Sequence, residues 1–269
     1  MRLSDVGELG LLRELESRGL IVGVEHDAAE LPGGLVVTQD ALVEGVHFRL
    51  DRLTWHELGF RAAAVNISDL SASAARPEAL FVTLTLPADV ELARVLELYE
   101  GLAESGVPVR GGDTSSAGRI VVSLTALGRS DRVPGRAGAQ PGDALVVTGP
   151  LGAAGAAFRQ GRYVRPPVRM EEGLRLGAVA HAMLDVSDGI AVDAGHLAHR
   201  SGCRLVVDLD AVPLAGELDD LGFGEDFELL AATPDPLGFP VIGRCEEGEG
   251  VLLLHAGEPY GLPGYQHFV

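Results

Sequence analysis

Apolar residues recur at helical spacing over 8–18, 55–74, 90–104, 171–183 and 190–199, and helices are predicted there. Short runs rich in Val, Leu, Ile and Thr lie between them, at 35–38, 80–86, 120–127, 145–148, 204–207 and 251–254, and read as strands. The two signals alternate along the whole chain, which predicts an α/β or α+β fold rather than a bundle or a sandwich. The stretch 129–143, RSDRVPGRAGAQPGD, breaks both periodicities with Arg, Gly and Pro. It marks the expected boundary between two domains, 1–130 and 131–269.

With 46% apolar side chains in 269 residues, the chain can bury substantial cores. A formal net charge of -18 repels nucleic acid and anionic membrane, and no basic patch offsets it. No window approaches the length of apolar chain that spans a bilayer, and MRLSDVGELG does not read as a signal peptide. Neither nucleic acid nor membrane is expected as a partner, and a cytoplasmic location is expected. Cys203 and Cys245 lack CxxC spacing and are predicted to be small buried or semi-buried residues. All 21 basic residues are Arg, which excludes a P-loop lysine and a Schiff base. Any polyphosphate must therefore be neutralised by Arg, backbone amides and metal ions.

Aspartates beside small residues carry the candidate chemistry: Asp27 in EHDAA, Asp40 in VVTQDALVEGVHF, Asp69 in VNISDLSASAA, Asp113 in RGGDT, Asp185 and Asp188 in DVSDGI, and Asp226 in GEDFELL. Most lie where a strand gives way to a turn or helix, the usual place for ligand groups in such folds. Magnesium takes hard oxygen ligands, so converging carboxylates suit it, whereas a single Asp ahead of a helix is as readily a cap. Asp185 and Asp188 are expected to present both carboxylates to one side of an extended segment. Gly112 lets the backbone approach a phosphate, and Arg136, Arg165 and Arg169 are the expected phosphate cations.

In order, HDAA, TQDALVEGVHF, AVNISDLSASAA, RGGDT, AGAQPGD, YVRPPVR, LDVSDGI, GEDFELL and GYQHF resemble the motif series of the thiamine-monophosphate kinase family, within the PurM-like ATP-binding superfamily. The resemblance implies a two-domain PurM-like α/β (α+β) fold, with an N-terminal mixed sheet that pairs two copies into a homodimer and a C-terminal α/β domain. It implies ATP-dependent, magnesium-assisted phosphorylation of thiamine monophosphate without a covalent intermediate or a general base. By motif match, magnesium is held by Asp27, Thr38, Asp40, Asp69, Asp113, Asp185 and Asp188. ATP is met by Asp27, Tyr99, Gly112, Asp113, Arg136 and Ser187, and the thiamine moiety by His47, Glu228 and Tyr265.

The chain departs from the family pattern at Glu25-His26-Asp27-Ala28, where GDDA is usual, and at Thr38-Gln39-Asp40, where TTD is usual. It is also short between 214 and 224. Two other readings share these motifs: a non-catalytic nucleotide or thiamine-phosphate binding module, and another PurM-like ATP-dependent synthetase, against which the absence of Lys argues.

Overall fold

A computed structural model describes residues 2–22 and 26–265. The first half builds a five-stranded sheet in the order β1-β2-β5-β3-β4, from β1 (Ala29–Leu31), β2 (Leu35–Val43), β3 (Arg76–Leu86), β4 (Val109–Ser116) and β5 (Val121–Arg129). Its pairs are antiparallel except β3 with β4. The second half builds a seven-stranded sheet in the order β12-β11-β8-β10-β6-β9-β7. Its strands are β6 (Ala144–Val147), β7 (Ala182–Asp185), β8 (Arg204–Asp208), β9 (Leu229–Thr233), β10 (Val241–Glu246), β11 (Gly250–His255) and β12 (Glu258–Pro259), with only β8 and β11 parallel.

Helices α1 (Leu3–Ser17), α2 (Trp55–Ala72) and α3 (Leu92–Ala103) belong to the first half, and α4 (Ala153–Arg159), α5 (Met170–Gly177) and α6 (Ile190–Ser201) to the second. The central element is α2. Thr54 starts it with a capping box to Glu57, which satisfies the first free amides. On one side it meets α3 at a pair of glycines: a Cβ on Gly59 would lie 1.9 Å from the Leu98 carbonyl, and one on Gly101 would lie 1.9 Å from that of His56. The other side packs on α5 and on β7 of the second sheet. A helix covered on both sides has no solvent face, so Arg61, Asn66, Ser68 and Ser71 are buried along with its alanines.

Each half has its own apolar core, and a third cluster joins them where Ala72 and Ala74 meet Val146, Met183, Leu229 and Ala231. Cys203 and Cys245 are both buried and free, as expected. The predicted helix over 171–183 is corrected: α5 ends at Gly177 and the chain returns as strand β7. Every residue of β7 is buried, so its apolar run lacks the alternation that identifies a half-exposed strand. No helix among the described residues is long and apolar enough to cross a membrane.

Candidate active site

Strand β2 alternates, and Thr38 and Asp40 fall on the same face as the buried Val36 and Leu42, toward α2. There Thr38 donates its hydroxyl to Asp69, on the buried length of α2. Asp185 ends β7 on the other side of α2 and accepts a hydrogen bond from Ser68 at 2.5 Å. Asp27 completes the group: carboxylate oxygens of Asp27, Asp69 and Asp185 lie within 4.8 Å of one another. Arg136 crosses from the second half to donate to Asp27, with Nε at 2.9 Å.

Burial raises the carboxyls of Asp27, Asp40 and Asp69 above their ordinary range, and neighbouring carboxylates push Asp69 further up. Asp185 is pushed up to about 7 by burial and then by the charge of Asp27. Arg136 is the cation bonded within this cluster, so a divalent ion fits the group both in charge and in its all-oxygen donor set.

Beside the cluster opens a cavity of about 570 Å³ whose wall includes Asp40, His47, Asp69, Asp185, Ser187, Asp188 and Tyr265. The structure thus brings seven of the expected site residues to one space. His47 accepts the Val43 amide at its Nδ1, 3.0 Å away, and the Tyr265 amide donates to the Asp188 carbonyl at 3.0 Å. The loop before β9 closes over the DVSDGI turn, where Gly224 has φ +83° and a Cβ would lie 2.2 Å from the Ser187 carbonyl. The end of the GYQHF motif, 266–268, lies outside the described residues, as does Glu25.

Other expectations come out differently. Asp185 ends β7 and Asp188 lies in the bend that follows, so no single extended segment carries the two carboxylates. Asp188 stays in the cavity wall, and its charge bears on the buried Asp193 instead. Asp226 has the capping role: its carboxylate accepts the amides of Gly152 at 2.7 Å and Ala154 at 3.2 Å, at the start of α4. Glu228 is 3% exposed and outside the cavity wall, bonded to Arg169 at 2.6 and 2.7 Å and to Thr148 at 2.6 Å. Arg169 is held there, and Arg165 pairs with Glu104 while stacking 3.4 Å over the Phe60 ring, so neither lines the cavity.

Tyr99, Gly112 and Asp113 line a separate shallow groove along the exposed edge strand β4. Asp113 is in register with Thr83, Thr83 with Ser123, and Ser123 with Ala41, the neighbour of Asp40. Three strand spacings, about 14 Å, therefore separate Asp113 from Asp40. The wall also contains residues that the sequence reading passed over, among them Arg61, Tyr163 and Glu225. For Arg61 a signal existed: a lone charge inside the apolar run GFRAAAV is out of place unless it is satisfied.

Two family profiles match the chain, described as AIR synthase related protein, N-terminal domain, over residues 25–130 and AIR synthase related protein, C-terminal domain, over residues 140–258. The thiamine-monophosphate kinase of Aquifex aeolicus (strain VF5) is 32% identical over 311 residues, covering 100% of both proteins. That of Mycobacterium tuberculosis (strain ATCC 25618 / H37Rv) is 33% identical, covering 99% of this chain and 93% of its own. The solved structure described as AaThiL complexed with AMPPCP and TMP matches with a TM-score of 0.90 at 30% identity, over 99% of each chain. Hydrogenase maturation protein HypE in complex with ATP shares the fold, with a TM-score of 0.70 at 20% identity over 99% of this chain and 97% of that one.

Proposed function

The chain belongs to the thiamine-monophosphate kinase family, and from that premise we propose that it transfers the γ-phosphoryl group of ATP to thiamine monophosphate, giving thiamine diphosphate and ADP. The observation that carries this reading is the buried group of Asp27, Asp69 and Asp185, with Asp40 and Thr38 beside it, at the edge of a cavity large enough for a phosphorylated acceptor. An oxygen of the acceptor phosphate attacks the γ-phosphorus as the bond to ADP breaks. That oxygen is already ionised at neutral pH, so the site needs no strong general base.

Two phosphorylated anions must meet, and magnesium, when bound, would offset their repulsion. In this reading Asp27, Asp40, Asp69, Asp185 and Asp188 hold the metal, with Thr38 orienting Asp69. Arg136 and Ser187 meet the nucleotide, and His47 and Tyr265 face the acceptor. Glu228 supports the site from behind, through Arg169 and Thr148. Residues 1–130 and 131–269 act as two domains, working in the cytoplasm.

Gly112, Asp113 and Tyr99 join the site through a homodimer. Strand β4 is an exposed edge whose residues from Arg110 onward are all solvent-facing, a surface that a second copy can cover by pairing sheet to sheet. Asp113 then serves the site of the partner chain.

The test is to incubate the pure protein with magnesium, ATP and thiamine monophosphate and to look for thiamine diphosphate. Formation of the diphosphate is expected. Tight binding of thiamine monophosphate without turnover would overturn the reading in favour of a binding module.

A further inference from the structure

Helix α2 presents Arg61, Val65 and Asp69 to the cavity on successive turns. One helix therefore carries a cation at one end of the cavity and a cluster carboxylate about 12 Å further along its axis. The Arg61 side chain is only 9% exposed; its guanidinium bonds to Glu225, and its Nε–H has no acceptor. The hydroxyl of Tyr163, in the same wall, is also buried without a partner. Burial raises that hydroxyl above its ordinary range, and the charges of Arg61 and Glu225 act on it. Buried donors without acceptors are rare, because each loses its bond to water and gains nothing in return.

The backbone that supplies Glu225 is strained. Glu225 and Phe227 have φ of 58° and 52°, a region that side chains with a Cβ seldom enter. Strain of this kind persists where the surroundings hold it in place, and it gathers at ligand sites. Here it turns the Glu225 carboxylate inward to Arg61 and brings Phe227 to the cavity wall.

Two idle donors and one carboxylate thus share a wall, and their charges decide what they suit. Arg61 and Glu225 neutralise each other, and a phosphate brought against them would meet the Glu225 carboxylate. An uncharged ring with an acceptor nitrogen next to an exocyclic amino group uses both kinds of partner. The nitrogen accepts from Arg61 or Tyr163, and the amino group donates to Glu225. Phe227 offers that ring an apolar face.

We propose that Arg61, Glu225 and Tyr163 recognise the aminopyrimidine edge of the acceptor and so fix its length along α2, with its phosphate at the carboxylate cluster. This rests on the kinase reading above. The three are specificity residues: they hold the acceptor at the end remote from the reacting atoms.

The experiment compares thiamine monophosphate with its analogue lacking the pyrimidine amino group, in the wild-type protein and in Glu225→Gln and Tyr163→Phe variants, with ATP and magnesium present. The wild type is expected to prefer the amino acceptor by at least about tenfold in kcat/KM, since a site that bonds an amino group rejects the analogue without it. Glu225→Gln is expected to reduce that preference to about twofold. Tyr163→Phe, which removes one oxygen and leaves the fold intact, is expected to raise KM for both acceptors about tenfold while kcat and the KM for ATP stay within about twofold. Wild-type turnover with an unchanged preference in Glu225→Gln and an unchanged acceptor KM in Tyr163→Phe would overturn this inference alone. No product from the wild type would overturn the kinase reading, and this inference with it.

Discussion

Ser68 donates to Asp185 Oδ2 across 2.5 Å, binding the middle of α2 to the end of β7 from the other half of the chain. Both residues are buried, so the bond is shielded from water. Burial and the Asp27 charge push the Asp185 carboxyl up, and the Ser68 hydroxyl opposes them by favouring the ionised form. Ser68→Ala removes that support and leaves a carboxylate that holds its proton more tightly. Magnesium binding to the nucleotide-free protein, followed by calorimetric titration, is expected to weaken about tenfold. Unaltered affinity would show that Asp185 does not hold the ion.

The same carboxyl sets a pH dependence. Asp185 goes from an ordinary value of 3.8 to about 7 in the folded protein, so between those values the metal-free fold binds more protons than the unfolded chain. Its contribution to stability is therefore largest at low pH and is lost as pH rises toward 7. Metal binding runs the other way, because the ion needs the ionised form and displaces the proton. Magnesium affinity is expected to be at least about tenfold weaker at pH 6 than at pH 8, with protons released on binding at the lower pH. Calorimetry in two buffers of different ionisation enthalpy measures that release; its absence at pH 6 would remove Asp185 from the ligand set.

The contact between α2 and α3 gives a prediction independent of catalysis. A Cβ on Gly101 would lie 1.9 Å from the His56 carbonyl and 2.8 Å from the Phe60 amide, both backbone groups that cannot swing aside. Gly101→Ala must push the helices apart, and overpacking of this kind costs roughly 1–3 kcal/mol. A melting point lower by about 2–10 °C is expected, read by differential scanning calorimetry. An unchanged melting point would mean that the two helices do not pack this closely in solution.

How much of this could be read from the sequence depended on how plainly each residue advertised its surroundings. Asp40 was legible as an aspartate in a short motif and Thr38 through the motif resemblance, and β2 places both on one face. Strands β4 and β9 were not: VRGGDTSS is poor in strand formers, and LLAAT is buried at every position and so shows no alternation. Glu228 and Arg169 each stood out as a charged candidate for the site. Only the tertiary structure pairs them, 59 residues apart in the chain, and takes both out of the cavity wall. Arg61 shows in the sequence only as a lone charge in an apolar run, and Tyr163 shows nothing, because what singles both out, a donor without an acceptor, exists only once the chain has folded. Asp113 is the opposite case, since its motif is easy to recognise and the fold of one chain leaves it across the sheet from the residues it should join.

That displacement of Asp113 leads to the sharpest test of a homodimer. If one chain supplies Asp40 and its partner Asp113, Asp40→Asn and Asp113→Asn should each abolish turnover in the pure variant. Mixed dimers of the two would then hold one site with both residues altered and one with both intact. Random mixing makes half of the dimers mixed, so about a quarter of wild-type activity is expected on unfolding and refolding the two variants together. If Asp40 and Asp113 of the same chain shared a site, no mixture would regain activity. The steady-state rate of the refolded mixture decides between these outcomes, with each variant refolded alone as the baseline.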